Sequence, residues 1–170
     1  MLNQANPSQQ QDIFASVEKI IGQPMSEDQS HLLKKILDPS FYVPFACARQ
    51  SGVSTLIRAV AIHAATVEKE NIAIIYPNFQ SLRVHLDKFV DTIETHGIEN
   101  PVIEIAGAGN TRTCRFKESI VMFFSEKASE KYRDLSNFLG FRDNFLNFDP
   151  DNSLLSFAAP FYKFVDAITR

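Results

Sequence analysis

Short apolar segments alternate along this sequence with longer amphipathic ones, and that alternation limits the folds open to the chain. The clearest short segment, residues 71–77 (NIAIIYP), is apolar at nearly every position rather than at every second one. A strand with this pattern is buried on both faces, which is typical of parallel sheets covered by helices. The sequence therefore predicts an α/β fold with a mostly parallel sheet flanked by helices.

The remaining elements are predicted from the spacing of the apolar residues. Helical spacing predicts helices over residues 11–21, 26–38, 53–69, 80–97, 128–140 and 161–169, the fifth ending at Gly140. Further apolar runs predict strands over residues 41–47, 101–107, 119–126 and 153–160. Pro44, inside the first strand, is unfavourable at the centre of a sheet because proline has no N–H to donate to a neighbouring strand.

The composition is that of an ordinary globular domain. Of the 170 residues, 45% are hydrophobic and 22% are charged, which allows one substantial core and argues against a disordered chain. No apolar run approaches the roughly 20 residues that cross a membrane, and the polar N-terminus does not resemble a secretory signal. We therefore expect a cytoplasmic protein without membrane contact. A formal net charge of −3 does not indicate a general nucleic-acid binder.

The domain organisation follows from the absence of any linker rich in Gly, Pro or Ser. Residues 1–25 are predicted to form a polar tail and a helix, and residues 26–170 a single domain. Cys47 and Cys114 are too far apart for a zinc motif, so we expect two buried free thiols. The histidines show no metal-ligand spacing either, and no metal site is predicted.

The stretch CARQSGVST, which begins at Cys47, joins a predicted strand to a predicted helix. It approximates the phosphate-binding pattern G-x-x-x-x-G-K-[ST], in which the lysine neutralises the β and γ phosphates and the hydroxyl holds Mg²⁺. Gly52 fits this pattern, as does Ser54 or Thr55, but Cys47 replaces the first glycine and Val53 replaces the lysine. By itself the match is weak, because a glycine in a strand-to-helix turn is common.

The loop resembles the Walker A loop of the large terminase subunits of tailed phages, which are ATPases that package DNA. Those loops typically run Arg-Gln-x-Gly-Lys-[ST]-[ST], and the matching residues here are Arg49, Gln50, Gly52, Ser54 and Thr55. The resemblance covers about residues 26–168, with the motifs in the family's order although none is intact. It implies a three-layer P-loop NTPase-like fold of the kind found in superfamily 2 helicases.

Gln29 lies 23 residues before Gly52. In the terminases and related helicases a Gln upstream of the loop reads adenine, and the resemblance places Gln29 in that role. The same residue completes a capping box with Ser26 at the start of a predicted helix, so both roles remain open.

The family's Walker B strand consists of apolar residues followed by Asp-Glu. The segment IVMFFSE resembles it, with Ser125 in the position of the metal-binding Asp and Glu126 in that of the Glu that orients the attacking water. Residues 156–162 (SFAAPFY) resemble the family's coupling strand. The acids between these two segments stand among turn-forming residues and are interpreted as a solvated turn: Asp143, Asp149 and Asp151.

The departures from the family fall on the groups that carry charge. Val53 cannot stabilise charge that develops on the γ-phosphate, and Ser125 weakens the metal site. Arg49 and Arg58 are candidates for a replacement cation, although Arg58 lies about a turn into the helix. The resemblance therefore implies a catalytically degenerate ATPase domain in which Glu126 is vestigial. No cofactor is expected to be retained, although ATP and Mg²⁺ remain possible. If a nucleotide binds, the implied contacts are Gln29, Arg49, Gln50, Gly52, Ser54 and Thr55.

Two functions remain open from the sequence. The first is a phage-encoded protein that acts in the host cytoplasm, binds a protein partner, and regulates or mimics a DNA-packaging or DNA-processing ATPase. The alternative is an ATPase module of a packaging motor that binds or hydrolyses ATP with residues supplied by a partner. DNA binding through Arg112, Arg115 and Lys117 has weaker support, and no nuclease domain is expected in a sequence that ends at Arg170.

Overall fold

The computed structural model describes residues 6–98, 100–106, 111–126, 135–145 and 161–169. Four helices and seven strands follow one another in these ranges. The helices are α1 (Pro7–Ile21), α2 (Glu27–Leu37), α3 (Val53–Thr66) and α4 (Phe79–Thr95). The strands are β1 (Tyr42–Cys47), β2 (Asn71–Tyr76), β3 (Val102–Ala106), β4 (Thr111–Arg115), β5 (Ile120–Ser125), β6 (Phe138–Phe145) and β7 (Lys163–Thr169).

The seven strands form one sheet in the order β1-β7-β6-β2-β5-β4-β3. The four pairs from β1 to β5 in this order, β1–β7, β7–β6, β6–β2 and β2–β5, are parallel. β4 is antiparallel to both β5 and β3. The fold class predicted from the sequence, an α/β fold with a mostly parallel sheet flanked by helices, is confirmed.

Local sequence signals account for where α1 and α2 begin. At each start the capping side chain accepts a hydrogen bond from a backbone N–H, and a Gln three residues on accepts one in return: Asn6 with Gln9 in α1, and Ser26 with Gln29 in α2. Two acids in the first turn of α2 also interact favourably with the positive end of the helix dipole, which stabilises the start of the helix.

Apolar clusters cover both faces of the sheet. The larger cluster joins side chains from all four described helices to one face, where Ile72 and Ile74 of β2 point. The alternate residues of β2, Ala73 and Ile75, lie on the other face, as expected for a strand. There they pack with four phenylalanines of the smaller cluster: Phe124, Phe138, Phe161 and Phe164.

Pro44 is tolerated because β1 lies at one edge of the sheet that the described residues form. Its only neighbour in that sheet is β7, where Pro44 stands opposite Asp166. A proline at an edge can turn its missing donor away from the paired side. The proline, which is unfavourable at the centre of a sheet, is therefore compatible with this edge strand.

The prediction that a helix ends at Gly140 is wrong, because residues 138–145 form β6. A Cβ at Gly140 would lie 2.7 Å from ring atoms of both Phe161 and Phe164. The glycine is therefore needed so that these two rings can pack against the strand. Residues 127–134, where that predicted helix begins, lie outside the described residues.

The prediction of a short helix over residues 161–169 is also wrong, because Lys163–Thr169 form β7. Lys163 and Asp166 in this strand are buried like their apolar neighbours. Because charged residues are normally expected at the surface, their spacing indicated the polar face of an amphipathic helix. β4 was not predicted at all. The strand predicted over 153–160 lies outside the described residues.

Candidate nucleotide-binding site

The loop between β1 and α3 contains two residues with left-handed backbone conformation. Gly52 caps α3 with φ 79° and ψ 9°, and Gln50 has φ 62°. The first backbone N–H groups of α3 have no partner within the helix and, with the helix dipole, suit an anion. The loop borders a cleft of about 640 Å³. Five of the six residues predicted to contact a nucleotide line this cleft: Arg49, Gln50, Gly52, Ser54 and Thr55.

An acidic side chain from β6 reaches the first turn of α3. The hydroxyl of Ser54 donates a hydrogen bond of 3.0 Å to Oδ1 of Asp143. Asp143 is only 1% exposed and lines the same cleft. Its interpretation as part of a solvated turn is therefore wrong. Asp143 belongs to β6, which lies two places from β1 in the sheet.

The segment predicted to be the Walker B strand is farther from the loop. It forms β5, the fifth strand in the order that starts at β1. Ser125 is buried at its end, opposite Tyr76 of β2, and Glu126 is exposed directly after it. Neither residue is among those that line the cleft. The acid that the structure brings to the loop is Asp143 instead of Glu126.

A signal for Asp143 is present in the sequence but is interrupted. The segment FLGFRD, residues 138–143, is a mostly apolar run that ends in an acid, which is the general form of a Walker B strand. Gly140 and Arg142 break the run. Arg142 points to the opposite face from Asp143 and pairs with Asp166 of β7, with N–O distances of 2.7 and 2.9 Å. This buried pairing explains an arginine in an otherwise apolar strand.

Gln29 lies behind the loop and contacts it directly. Its Nε2 donates to the carbonyl of Gly52 at 2.9 Å, while its Oε1 accepts from the Ser26 N–H at 2.9 Å. A Cβ at Gly52 would lie 2.7 Å from that Nε2, so the glycine is required by its neighbour as well as by its φ angle. Gln29 thus performs its capping role and joins α2 to the loop. A second cavity, of about 340 Å³, lies beside this contact.

Val53, which replaces the expected lysine, is 3% exposed and belongs to the larger apolar cluster. Arg58, considered from the sequence as a replacement cation, borders a different cavity between α3 and α4. Burial lowers the pKa of its guanidinium, and Tyr76 and Asp143 partly oppose that shift. Arg49 is exposed on the loop.

Two residues of α4 that the sequence analysis missed also line the cleft, His85 and Lys88. The His85 ring stacks on Tyr76 with centroids 4.8 Å apart. Burial lowers the pKa of His85 to about 4, assisted by the positive charges of Lys88 and Arg58, so the imidazole is neutral at pH 7. The signal in the sequence was their spacing, because residues three apart share one face of a helix.

The basic residues considered for DNA binding lie away from the cleft, on and beside β4. The Arg112 guanidinium lies over the Phe79 ring, 5.0 Å from its centroid. Arg115 forms two exposed contacts with Glu104 of β3, at 3.3 and 3.2 Å.

Within the described ranges no group of three potential metal ligands is found, and no helix there is long and apolar enough to cross a membrane. Both cysteines are buried and free.

Known structures with this fold include large terminases of bacteriophages. The large terminase of bacteriophage HK97 matches with a TM-score of 0.68 and 13% identity, over 94% of this chain and 37% of that one. The large terminase of a thermophilic bacteriophage, in complex with ADP, matches with a TM-score of 0.56 and 15% identity, over 85% of this chain and 39% of that one. The large terminase ATPase domain of Thermus phage P74-26 matches with a TM-score of 0.56 and 12% identity, over 89% of this chain and 67% of that one.

These matches confirm the resemblance to phage large terminase ATPase domains at the level of the fold. No protein-family model matches the sequence, and no curated protein does. The chain spans a little over a third of the HK97 terminase that it matches. At such low identity, the residues of the site must be judged from their own chemistry.

Proposed function

We propose that this chain is a terminase-like P-loop domain that binds Mg²⁺ and an adenine nucleotide in the cleft beside the loop. It hydrolyses the nucleotide slowly or not at all by itself, and acts with a protein partner in DNA packaging or DNA processing. The observation that carries the proposal is the hydrogen bond from Ser54 to Asp143 at the start of α3.

The residues of the cleft fit a magnesium nucleotide in several respects. Mg²⁺ prefers hard oxygen ligands, and the Ser54 hydroxyl and the Asp143 carboxylate supply two that are already adjacent. The N-terminus of α3 would receive the phosphates. The cleft volume of about 640 Å³ lies within the usual range for ligand sites. A bound Mg²⁺ would supply positive charge to the phosphate oxygens.

The same residues explain why turnover is expected to be slow. Val53 supplies no cation to the γ-phosphate. The residue after Asp143 is Asn144, whose amide cannot act as the base that a glutamate supplies after the Walker B Asp. The terminase of the thermophilic phage was solved with ADP, which supports an adenine nucleotide as the ligand here. Catalysis by a partner's residues, which the sequence analysis left open, is retained as the alternative.

A role in protein interaction is supported by the surface of β3. In the sheet formed by the described residues, β3 is one edge strand and β1 is the other. Val102, Ile103 and Ile105 are all exposed there, Ile105 by 71%. Exposed apolar side chains on an edge strand are a common feature of surfaces that pair with another chain. They favour a partner that completes or regulates the domain.

Calorimetric titration of the purified protein with ADP and ATP, in Mg²⁺ and in EDTA, tests the nucleotide site. We expect Mg²⁺-dependent binding that Asp143→Asn weakens about tenfold or more, because the amide removes a charged metal ligand. Asp87→Asn is the matched control, since Asp87 is exposed on α4 and does not line the cleft. Absence of binding by the native protein to either nucleotide would contradict the proposal.

The proposed partnership has a separate test in phosphate-release measurements. The native protein alone should release little phosphate from ATP. If a packaging-machine component supplies the missing groups, the mixture should hydrolyse ATP while neither protein does so alone. Hydrolysis by this chain alone that is lost in Asp143→Asn would instead make it a self-sufficient ATPase and remove the argument for a degenerate site.

A further inference from the structure

The cleft beside the loop has a wall that the Walker pattern does not describe. Most of its lining residues belong to the loop and the start of α3, and Asp143 comes from β6. The remaining lining residues, His85 and Lys88, come from α4. They lie three positions apart and therefore on one side of that helix. The core-facing positions of α4 are different residues, among them Leu82, Leu86 and Phe89.

Lys88 lies close to His85 in this wall of the cleft. After burial, its positive charge and that of Arg58 on α3 are the causes that lower the pKa of His85. His85 itself is neutral at pH 7, and its Nδ1 is buried without a hydrogen-bond partner among the described residues. The imidazole therefore offers the cleft a hydrogen-bonding group but no charge. A cation on the α4 side of the cleft must come from Lys88.

The site has lost a cation at one position and has one at another. Val53 is held in the apolar cluster and carries no charge, whereas Lys88 is exposed and lines the same cleft. A lysine has a flexible four-carbon side chain and acts as a point charge on phosphate. Arg58 is only partly exposed and borders a different cavity. Arg49 also lines the cleft, from the loop itself, so it is the competing cation and is tested beside Lys88.

We propose that Lys88 binds the phosphates of the nucleotide from α4, replacing the loop lysine whose position Val53 occupies. The inference rests on the proposed nucleotide site and assigns a phosphate-binding residue within it. It also predicts a graded dependence on charge. The contribution of Lys88 should increase from adenosine, which has no phosphate, through ADP to ATP.

Calorimetric titrations with adenosine, ADP and ATP in Mg²⁺ test this dependence. Lys88→Ala should weaken ATP binding about ten- to hundredfold, ADP binding less, and adenosine binding not at all. Arg83→Ala is the matched control, because Arg83 is an exposed cation of the same helix that does not line the cleft. Val53→Lys combined with Lys88→Ala should restore the dependence on phosphate number. Circular dichroism and the unfolding midpoint confirm that each variant is folded.

Each remaining outcome has a definite meaning. If the native protein binds ATP and Lys88→Ala binds it equally well, the inference is overturned while the nucleotide site stands. If Arg49→Ala instead removes the dependence on phosphate number, Arg49 is the cation and the inference is again overturned. If the native protein binds no nucleotide but Val53→Lys does, the proposed function fails, and Lys88 does not replace the missing lysine.

Discussion

Asp143 and Asp166 are buried acids on the neighbouring strands β6 and β7, yet their surroundings differ. Asp166 is completely buried and accepts two hydrogen bonds from Arg142 and one, at 3.0 Å, from Tyr42. Asp143 accepts from the Ser54 hydroxyl and borders an open cleft. A guanidinium that donates to both oxygens of a buried carboxylate compensates its negative charge within the protein. One that accepts from a neutral hydroxyl beside a cleft is suited to bind a cation.

Tyr42, which donates to Asp166, is itself partly buried. Burial raises the pKa of Tyr42 to about 12, and the charge of Asp166 adds to that shift. The phenol therefore remains a hydrogen-bond donor throughout the physiological range. The group formed by Asp166, Arg142 and Tyr42 joins β1, β6 and β7, the strands that position the loop and Asp143. We infer that this group supports the site without contacting a ligand.

The largest expected effect is a loss of stability when the Arg142 partner of Asp166 is removed. Arg142→Ala leaves the carboxylate of Asp166 buried without its cation, so it should lower the free energy of unfolding by about 3–5 kcal/mol. Urea denaturation followed by circular dichroism measures this change. Arg115→Ala is the matched control, because the Arg115–Glu104 pair is exposed and its loss should leave the midpoint unchanged. Equal midpoints for both variants would refute a structural role for the Asp166 pair.

A smaller effect on stability is expected at Asp143. Asp143→Asn retains an oxygen that can accept from Ser54 and no longer buries a charge, so the free energy of unfolding should change by less than about 1 kcal/mol or rise. The comparison with Arg142→Ala uses the same denaturation curves. If Asp143→Asn lost as much free energy of unfolding as Arg142→Ala, Asp143 would be a structural acid like Asp166, and the proposed difference between the two acids would be wrong.

The smallest effect concerns pH and the cleft. The pKa of His85 in the folded protein, about 4, is below the ordinary histidine value of 6.5. The unfolded chain therefore binds more protons between these values, and stability should fall as pH decreases from about 6.5 to 4. After solvent screening, His85 should contribute no more than about 1 kcal/mol to this loss. His63 also has a lowered pKa, so it shares this pH window.

A site-specific measurement removes that overlap. Proton NMR titration of the His85 ring should give a pKa near 4 in the native protein. It should give a higher value in Lys88→Ala, because one of the two neighbouring positive charges is removed. The His63 signal is the internal control and should not move. An unchanged His85 pKa in Lys88→Ala would show that the Lys88 ammonium does not act inside the cleft.

The sequence predicted much of the first half of the molecule. α2, β1, α3, β2 and α4 lie within a few residues of their predicted limits, because their signals are local: capping residues, helical spacing and uniformly apolar runs. The loop between β1 and α3 was found for the same reason, since strand, glycine and helix are adjacent in the chain. Its residues Arg49, Gly52 and Ser54 do line one cleft.

The second half was predicted less well because its strands carry buried charges. Lys163, Arg142 and Asp166 are polar residues in strands that lie inside the sheet. Their partners come from other elements, as when Lys163 donates to the carbonyl of Asp38. A periodicity analysis counts such residues as solvent-facing. It predicted one helix that ends at Gly140, inside β6, and another over residues 161–169, most of which form β7.

By itself the sequence determined the fold class, the loop between β1 and α3, and the valine at position 53, because each depends on residues close together in the chain. Only the tertiary structure decided which acid meets the loop. β5 ends at Ser125, directly before Glu126, and resembled the metal-binding strand in sequence, but the sheet order places β6, with Asp143, nearer to Ser54. Strand order is set by packing and pairing between distant segments, and these are not expressed in local periodicity.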